Sequence, residues 1–322
     1  MENRLFFLSS KEKIELKRGE TLCVFSKDEF VLQSLFLSLK SGNNFLLVDE
    51  NGEKLSSRDI AFMGFDGPIF VDLSVYDNLA FSLKKDRKIN ASSIVLDMAR
   101  FLNIESLLNK KAKDLSSLEK GKVALGKRFI VDAPLFVCFD PLRNRKELEK
   151  DYIALLKKKN ARVLFLTNNP KTALVISNEM IVNYGTIDER SGYPLSLYFD
   201  PPTLKTLQSL SNPKANVIQL EKDNDSIFFL GEKINVPFSS CCLVIHPHDV
   251  ILNKSGRFIG AVLFLETIGN HKYLHLETHR QEIVVEWNGG DVKIGERLNF
   301  NISLKKSYLF LENGERVRIK SR

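Results

Sequence analysis

Residues 115–141 read LSSLEKGKVALGKRFIVDAPLFVCFDP, and their grain changes at Pro134. Before the proline, the spacing predicts a helix over 116–131 whose apolar face carries Val123, Phe129 and Ile130. After it, LFVCFD is an almost unbroken apolar run, the pattern of a strand covered on both faces. Such strands belong to sheets with helices packed on either side, so the stretch points to an α/β layer architecture.

The same alternation runs from about Gly19 to Gly185. TLCVFS (21–26), NFLLVD (44–49) and ARVLFLTN (161–168) read as further strands. Between them a helix is expected over 92–108, with Val95, Met98, Phe101, Leu102 and Leu108 at helical spacing behind a cap at Asn90. After DPPTLKTLQSLSNP (200–213) the runs become short and evenly spaced: NVIQLE, SIFFL, CCLVIH, FIGAVLFLET, KYLHLET, EIVVEW, RLNFNI and YLFLE. Strands of that length between Gly, Asn and Asp turns indicate a small β-barrel or sandwich. The expected domains are therefore 1–212, α/β, and 213–322, all β.

The chain has 322 residues, enough for two cores, and at 43% hydrophobic and 27% charged residues it has the composition of a folded protein. No apolar run approaches the roughly 20 residues of a membrane-spanning helix, and MENRLFFLSSKEK is too soon charged for a signal peptide, so a cytoplasmic protein is expected. Cys23, Cys138, Cys241 and Cys242 mostly sit inside apolar runs and read as buried, reduced thiols. The formal charge of +7 is scattered, with one short run at Lys157, Lys158 and Lys159 that reads as a solvated helix face. There is no internal repeat.

Four segments, taken in order, resemble one family. They are VYDNLAFSLK (75–84), KVALGKRFIVDAP (122–134), GTIDERSGYPLSLYFDPP (185–202) and IHPHDV (245–250). Together they are similar to the ATP-binding subunit of an ABC importer of the maltose/glycerol-3-phosphate type. The resemblance covers nearly the whole chain. It implies a P-loop ABC-ATPase-like domain with a helical subdomain, followed by a small C-terminal β-barrel regulatory domain, OB-like and TOBE-type.

On that resemblance the family's nucleotide motifs fall on altered residues. A phosphate cradle needs glycines, a lysine for the outer phosphates and a hydroxyl for magnesium. The matching stretch, SKDEFVLQS (26–34), begins at Ser26, contains no glycine, has Leu32 at the lysine position and Gln33 at the first hydroxyl position, and keeps only Ser34. Asp28 and Glu29 add negative charge. Losing three charge-assisted hydrogen bonds removes about 5 kcal/mol, which turns micromolar affinity into millimolar. Phe65 takes the Q-loop glutamine's position, and Asp140 the Walker B position, with one acid missing beside it. Asn168 takes the switch histidine's place, and an amide exchanges no proton near neutral pH. RNRK (143–146) replaces the D-loop. The signature reads LSSLE: Ser116 is kept, while Ser117, Leu118 and Glu119 depart from the pattern. The first segment is trimmed, so the adenine-stacking aromatic has no clear counterpart; Phe6 or Phe7 is the candidate for it.

Two smaller signals complete the reading. His246 and His248, and separately His271, His275 and His279, have spacings that place rings on one side of a strand, but no acidic or thiol pattern in the sequence completes a metal set, so no metal is expected. Ile69, Phe70 and Val71 lie in the loop that the resemblance turns towards the membrane permease, and burial against the helical subdomain is the competing account. The resemblance thus implies a degenerate, non-hydrolysing subunit, a pseudo-ATPase, of a transporter importing a carbohydrate or polyol phosphate. It would be the structural or regulatory half of an ATPase dimer, peripheral on the inner face of the membrane. Its partners would be permease subunits and either an intact ATPase paralogue or a second copy, with no nucleic acid. Mg-ATP would be held only weakly, or through the partner. Three alternatives stay open: an active ATPase with divergent motifs, a free-standing regulatory or nucleic-acid-binding protein, and a decaying gene product.

Overall fold

In the computed structural model, which describes residues 4–9, 11–41, 46–56, 59–64, 69–83, 90–142, 146–184 and 189–318, the apolar runs become strands whose burial follows their composition. The chain divides into two compact units, Met1–Pro194 and Leu195–Arg322.

The first unit begins with β1 (Leu5–Leu8), β2 (Lys13–Leu16), β3 (Thr21–Phe25), α1 (Glu29–Ser41), β4 (Leu47–Asp49) and β5 (Ile60–Met63). The helices α2 (Val75–Ala80), α3 (Ala91–Phe101) and α4 (Ser117–Phe129) follow, then β6 (Leu135–Phe139), α5 (Glu149–Lys159), β7 (Val163–Thr167), α6 (Pro170–Ile176), β8 (Glu179–Asn183) and β9 (Glu189–Gly192). The main sheet has the order β5-β6-β7-β3-β8-β9. It is parallel except for its last strand, β9. Every residue of β3, β6 and β7 is buried, as continuous apolar runs require.

α1 lies on this sheet through Leu32, Phe36 and Leu39, which share a core with Val24, Phe139 and Leu166. NFLLVD differs from its expected place: among its described residues Leu47–Asp49 is the strand, and it belongs to a separate antiparallel sheet, β2-β1-β4. The helical portion packs α2 against α3 and α4. Gly126 makes that approach possible, because a Cβ there would stand 2.8 Å from a Leu79 methyl and 2.9 Å from one of Leu102. Asn90 occupies the position before α3, but its side chain makes no capping hydrogen bond.

The second unit holds the rest of α7 (Pro194–Phe199), then α8 (Leu204–Leu210), β10 (Asn216–Gln219), β11 (Glu221–Asp223), β12 (Ser226–Phe229), β13 (Glu232–Ile234), β14 (Cys242–Ile245) and β15 (Val250–Leu252). β16 (Phe258–Ile268), β17 (His271–Thr278), β18 (Gln281–Trp287), β19 (Arg297–Ile302), β20 (Tyr308–Phe310) and β21 (Arg316–Val317) complete it. Three antiparallel sheets result, β10-β14-β20-β21, β11-β12-β13 and β15-β19-β16-β17-β18, and one apolar core joins residues from all three. The described pairings establish packed sheets, not closure into a barrel. The unit starts earlier than residue 213 because Leu207 packs with Cys242, Val244 and Phe310, while the Leu204 N–H donates to Gly314 O at 2.8 Å.

Candidate functional site

Parallel strands deliver the residues that follow them to one edge, and ligands of such folds bind outside those carboxyl ends. β6, β7 and β3 are neighbours, so Ser26, Asp140 and Asn168 arrive together. The Ser26 N–H donates to Thr167 O at 3.3 Å, and the Asp140 N–H to Leu166 O at 2.9 Å. Asp140 is buried with a φ of 41°. Its carboxylate accepts from the Thr167 hydroxyl at 3.2 Å. The Asn168 amide donates to Glu29 Oε2 at 3.4 Å.

The turn between β3 and α1 contains only residues 26–28. Ser26 Oγ accepts from the Asp28 N–H at 3.2 Å, and Asp28 Oδ1 accepts from the Phe30 N–H at 2.9 Å. A first-turn amide that could face an external anion is therefore bonded to the chain's own carboxylate, and Glu29 adds another acid to the same turn. Leu32, Gln33 and Ser34 lie beyond the turn, on the helix: Leu32 is 0% exposed in the core, whereas Gln33 and Ser34 face solvent. The turn does contain a cation, Lys27, exposed and engaged. A comparison confined to the family's lysine position passes over it.

The start of α4 has the same character. Ser116 is its N-cap: the Ser116 N–H donates to Glu119 Oε2 at 2.8 Å, and the Glu119 N–H donates to Ser116 Oγ at 3.3 Å. This is a reciprocal capping box. The Ser116 N–H, then its hydroxyl, hold the Glu119 carboxyl below its ordinary pKa. Ser117 and Leu118 are exposed beside it. The sequence signal for this box, Ser-x-x-Glu before an apolar helix, was available and is masked when the stretch is read only as an altered signature.

Phe65 lies outside the described residues, as do residues 143–145 of the D-loop replacement. Ile69 is half-buried, and Phe70 and Val71 are 36% and 49% exposed. Buried Asn78 holds their loop from below: its Oδ1 accepts from the Phe70 N–H at 2.7 Å, and its Nδ2 donates to Phe70 O and Ser74 O, both at 2.9 Å. The Lys113 N–H reaches Val71 O at 2.8 Å. Above this frame Phe70 meets Phe81 edge-on at 4.5 Å, with Lys127 Nζ 3.9 Å from the Phe70 ring. Burial, with Arg128 nearby, pushes the Lys127 pKa down. The result is a hydrogen-bonded, partly apolar surface stretch.

Phe7 is buried in β1, while Lys13 Nζ lies 4.1 Å over the half-buried Phe6 ring. His275 has a carboxylate on each ring nitrogen, Glu282 at 2.5 Å and Glu266 at 3.2 Å, and His271 faces Glu286 at 2.9 Å. Those acids come from neighbouring strands and were invisible to spacing along one run. His279 sits in the following turn with a φ of 46°. Among the described residues no group of three or more His, Cys, Asp or Glu side chains could hold a metal ion, and no helix is long and apolar enough to cross a membrane. The four cysteines are free; burial raises the thiol pKa of Cys23, and those of Cys138 and Cys242 to about 12.

No protein-family model matches the sequence. The chain is 28% identical over 285 residues to the sn-glycerol-3-phosphate import ATP-binding protein UgpC of Psychromonas ingrahamii, covering 81% of this chain and 76% of that one. It is 25% identical to the lactose transport ATP-binding protein LacK of Rhizobium radiobacter, over 82% of this chain and 80% of that one. It is also 25% identical to the maltose/maltodextrin import ATP-binding protein MalK of Mannheimia succiniciproducens, over 95% and 92% of the two chains. Among solved structures, a metal-chelate type ABC transporter in an inward-facing conformation shares the fold, with a TM-score of 0.51 and 17% identity over 70% of this chain and 96% of that one.

Proposed function

We propose that this chain, which resembles the ATP-binding subunits of ABC importers along most of its length, is the non-hydrolysing half of such a machine. It docks from the cytoplasmic side on permease subunits through the loop of Ile69, Phe70 and Val71. It pairs with an intact ATPase paralogue and passes on motion without transferring a phosphoryl group. The imported substrate is a carbohydrate or polyol phosphate, the class named for its relatives. The second unit is its regulatory domain.

The observation that carries this reading is the pair of carboxylates at the two helix starts. Asp28 bonds the Phe30 N–H of α1, and Glu119 bonds the Ser116 N–H at α4. Anions bind helix N-termini through open amides and the positive end of the dipole. Here an internal acid sits at each, and a triphosphate arriving at either would meet like charge. The residues present do not fit Mg-ATP: the turn from Ser26 to Asp28 is too short to wrap phosphates, and the side chain at position 32 points into the core.

The test has two arms. Equilibrium dialysis of the purified chain with Mg-ATP is expected to show no binding at micromolar concentration. Co-purification from the native host is expected to bring down a permease and an ATPase paralogue, and mutation of that paralogue's P-loop lysine is expected to abolish hydrolysis by the complex. Hydrolysis that survives the mutation would place catalysis on this chain and reverse the assignment.

A further inference from the structure

The second unit contains a cavity of about 640 Å³, in the range of small-molecule sites, that the transport reading does not use. It lies where the segment after β13 faces the start and end of the β20-β21 hairpin. Val236 and Leu309 give it apolar wall, and Asn235, Lys305 and Arg316 give it donors. Ser307 also lines it, but its hydroxyl proton is committed to Leu304 O at 2.9 Å.

Arg316 is the unusual member. Its guanidinium lies 4.3 Å over the Tyr308 ring, an arrangement that satisfies the cation's face. The N–H groups lie in the guanidinium plane and need acceptors of their own. Nε and Nη1 are buried and have no hydrogen-bond partner. Asp200, the acid whose charge acts on it, is bonded to Arg318 at 2.8 Å. Burial pushes the Arg316 pKa down from its ordinary value, the sign of a cation short of a counter-ion. Lys305, next to Lys306 whose ammonium is held by Asp249 at 2.8 Å, is exposed at the cavity's edge. Buried guanidinium donors without acceptors are rare in folded proteins; these two are closed off by the chain itself, so Arg316 meets the cavity with the rest of its half-buried side chain, as a cation that no carboxylate among the described residues bonds.

We propose that this cavity is a binding site for a small organic anion, one carboxylate or phosphate group on an apolar body of a few carbons, with Arg316 and Lys305 taking the charge and Val236 and Leu309 the body. The site is independent of the nucleotide reading.

Titration calorimetry on the full chain, at fixed ionic strength, tests it with three probes: benzoate, phenyl phosphate and inorganic phosphate. At least one of the two aromatic anions is expected to bind in the millimolar range or tighter, and whichever binds better names the head group. Inorganic phosphate, lacking the body, is expected to bind roughly tenfold more weakly or worse. Arg316→Gln is expected to weaken the better probe by about tenfold or more, and Lys305→Gln, an exposed change that leaves the fold alone, by roughly threefold. Circular dichroism checks that Arg316→Gln stays folded; should it unfold, the Lys305→Gln comparison decides. No heat from either aromatic anion, inorganic phosphate binding as well as phenyl phosphate, or affinity unchanged in the folded variants would each overturn the proposal.

Discussion

Ser116 and Glu119 close the first turn of α4 on each other, the serine N–H on the glutamate at 2.8 Å and the glutamate N–H on the serine hydroxyl at 3.3 Å. A one-sided version occurs at α1, where Asp28 holds the Phe30 N–H at 2.9 Å. Both are local interactions between residues two or three apart, so they form whenever the helix forms and need no ligand.

The α4 cap should be visible in stability and in its pH dependence. Ser116→Ala removes the hydroxyl acceptor and is expected to cost about 1 kcal/mol, a drop in Tm of roughly 2–4 °C. Glu119 has its pKa lowered from 4.5 in the folded state. Its contribution is therefore complete above its unfolded value and is lost as pH falls through the folded one. Glu119→Gln keeps the acceptor but not the charge. Wild type should be more stable than this variant at pH 6, and the gap should close on acidification below about pH 4.5. A gap that stays constant down to pH 3 would mean that the carboxylate plays no part.

Leu32→Lys is the change a motif-restoring experiment would make first, and the structure predicts that it fails for a reason unrelated to phosphate. The side chain is 0% exposed among Val24, Phe36, Phe139 and Leu166. An ammonium there loses the leucine's burial and must be desolvated, so destabilisation of at least about 3 kcal/mol is expected, against under about 1.5 kcal/mol for Leu32→Met. Denaturant unfolding of the two variants measures this. A Leu32→Lys protein with the stability of wild type and micromolar Mg-ATP affinity would show that the helix can turn this residue outward.

The loop of Phe70 and Val71 separates structural from surface roles. Asn78→Ala deletes the acceptor for the Phe70 N–H and the donor to two carbonyls, with no water path to a fully buried position. A loss of about 3 kcal/mol is expected from the groups left unsatisfied. Val71→Glu, on a half-exposed side chain, should leave Tm within about 1 °C of wild type. If this face docks on a permease, Val71→Glu should nonetheless reduce recovery of the permease in co-purification by several-fold. Unchanged recovery would remove the face from the interface.

The legible part of this protein was the part governed by pattern. β3, β6 and β7 announce themselves because strands covered on both faces carry no charged residue, and a polar one, Thr21 or Thr167, only at an end. The short strands β10, β12, β14 and β16 through β20 fell where turn residues isolated them. β5 and β8 do not stand out in the sequence, because Ile60–Met63 and Glu179–Asn183 are short and carry weaker signals. At the site, composition showed what was missing from residues 26–34, yet not where those residues would point. Motif comparison makes Leu32 a lost ligand, while its place in the core follows from its spacing with Phe36 and Leu39. The acids facing His275 and the bare N–H groups of Arg316 come from contacts across strands or from burial, which no single run encodes.

His246 offers the clearest pH signature in the second unit. It is 5% exposed, stacked on Tyr198 at 5.5 Å and His248 at 5.3 Å, with Tyr308 edge-on at 5.9 Å. Its buried Nε2 has no hydrogen-bond partner. Burial, then His248, lower its pKa from 6.5; Asp249 opposes them, but that carboxylate is already bonded to Lys306. The folded state therefore binds a proton at this ring less readily than the unfolded chain does. Its contribution to stability is complete above about pH 6.5 and declines as pH falls below it, because the unfolded chain takes up the proton first. His246→Phe keeps the ring and removes the titration, so the stability difference between wild type and variant should shift against wild type from pH 7 to pH 5. Chemical denaturation at the two pH values measures it; histidines distant from His246 cancel in the difference, while its stacked neighbour His248 loses a like charge in the variant. An equal response in both proteins would mean that the ring gains a proton acceptor in solution or opens to water.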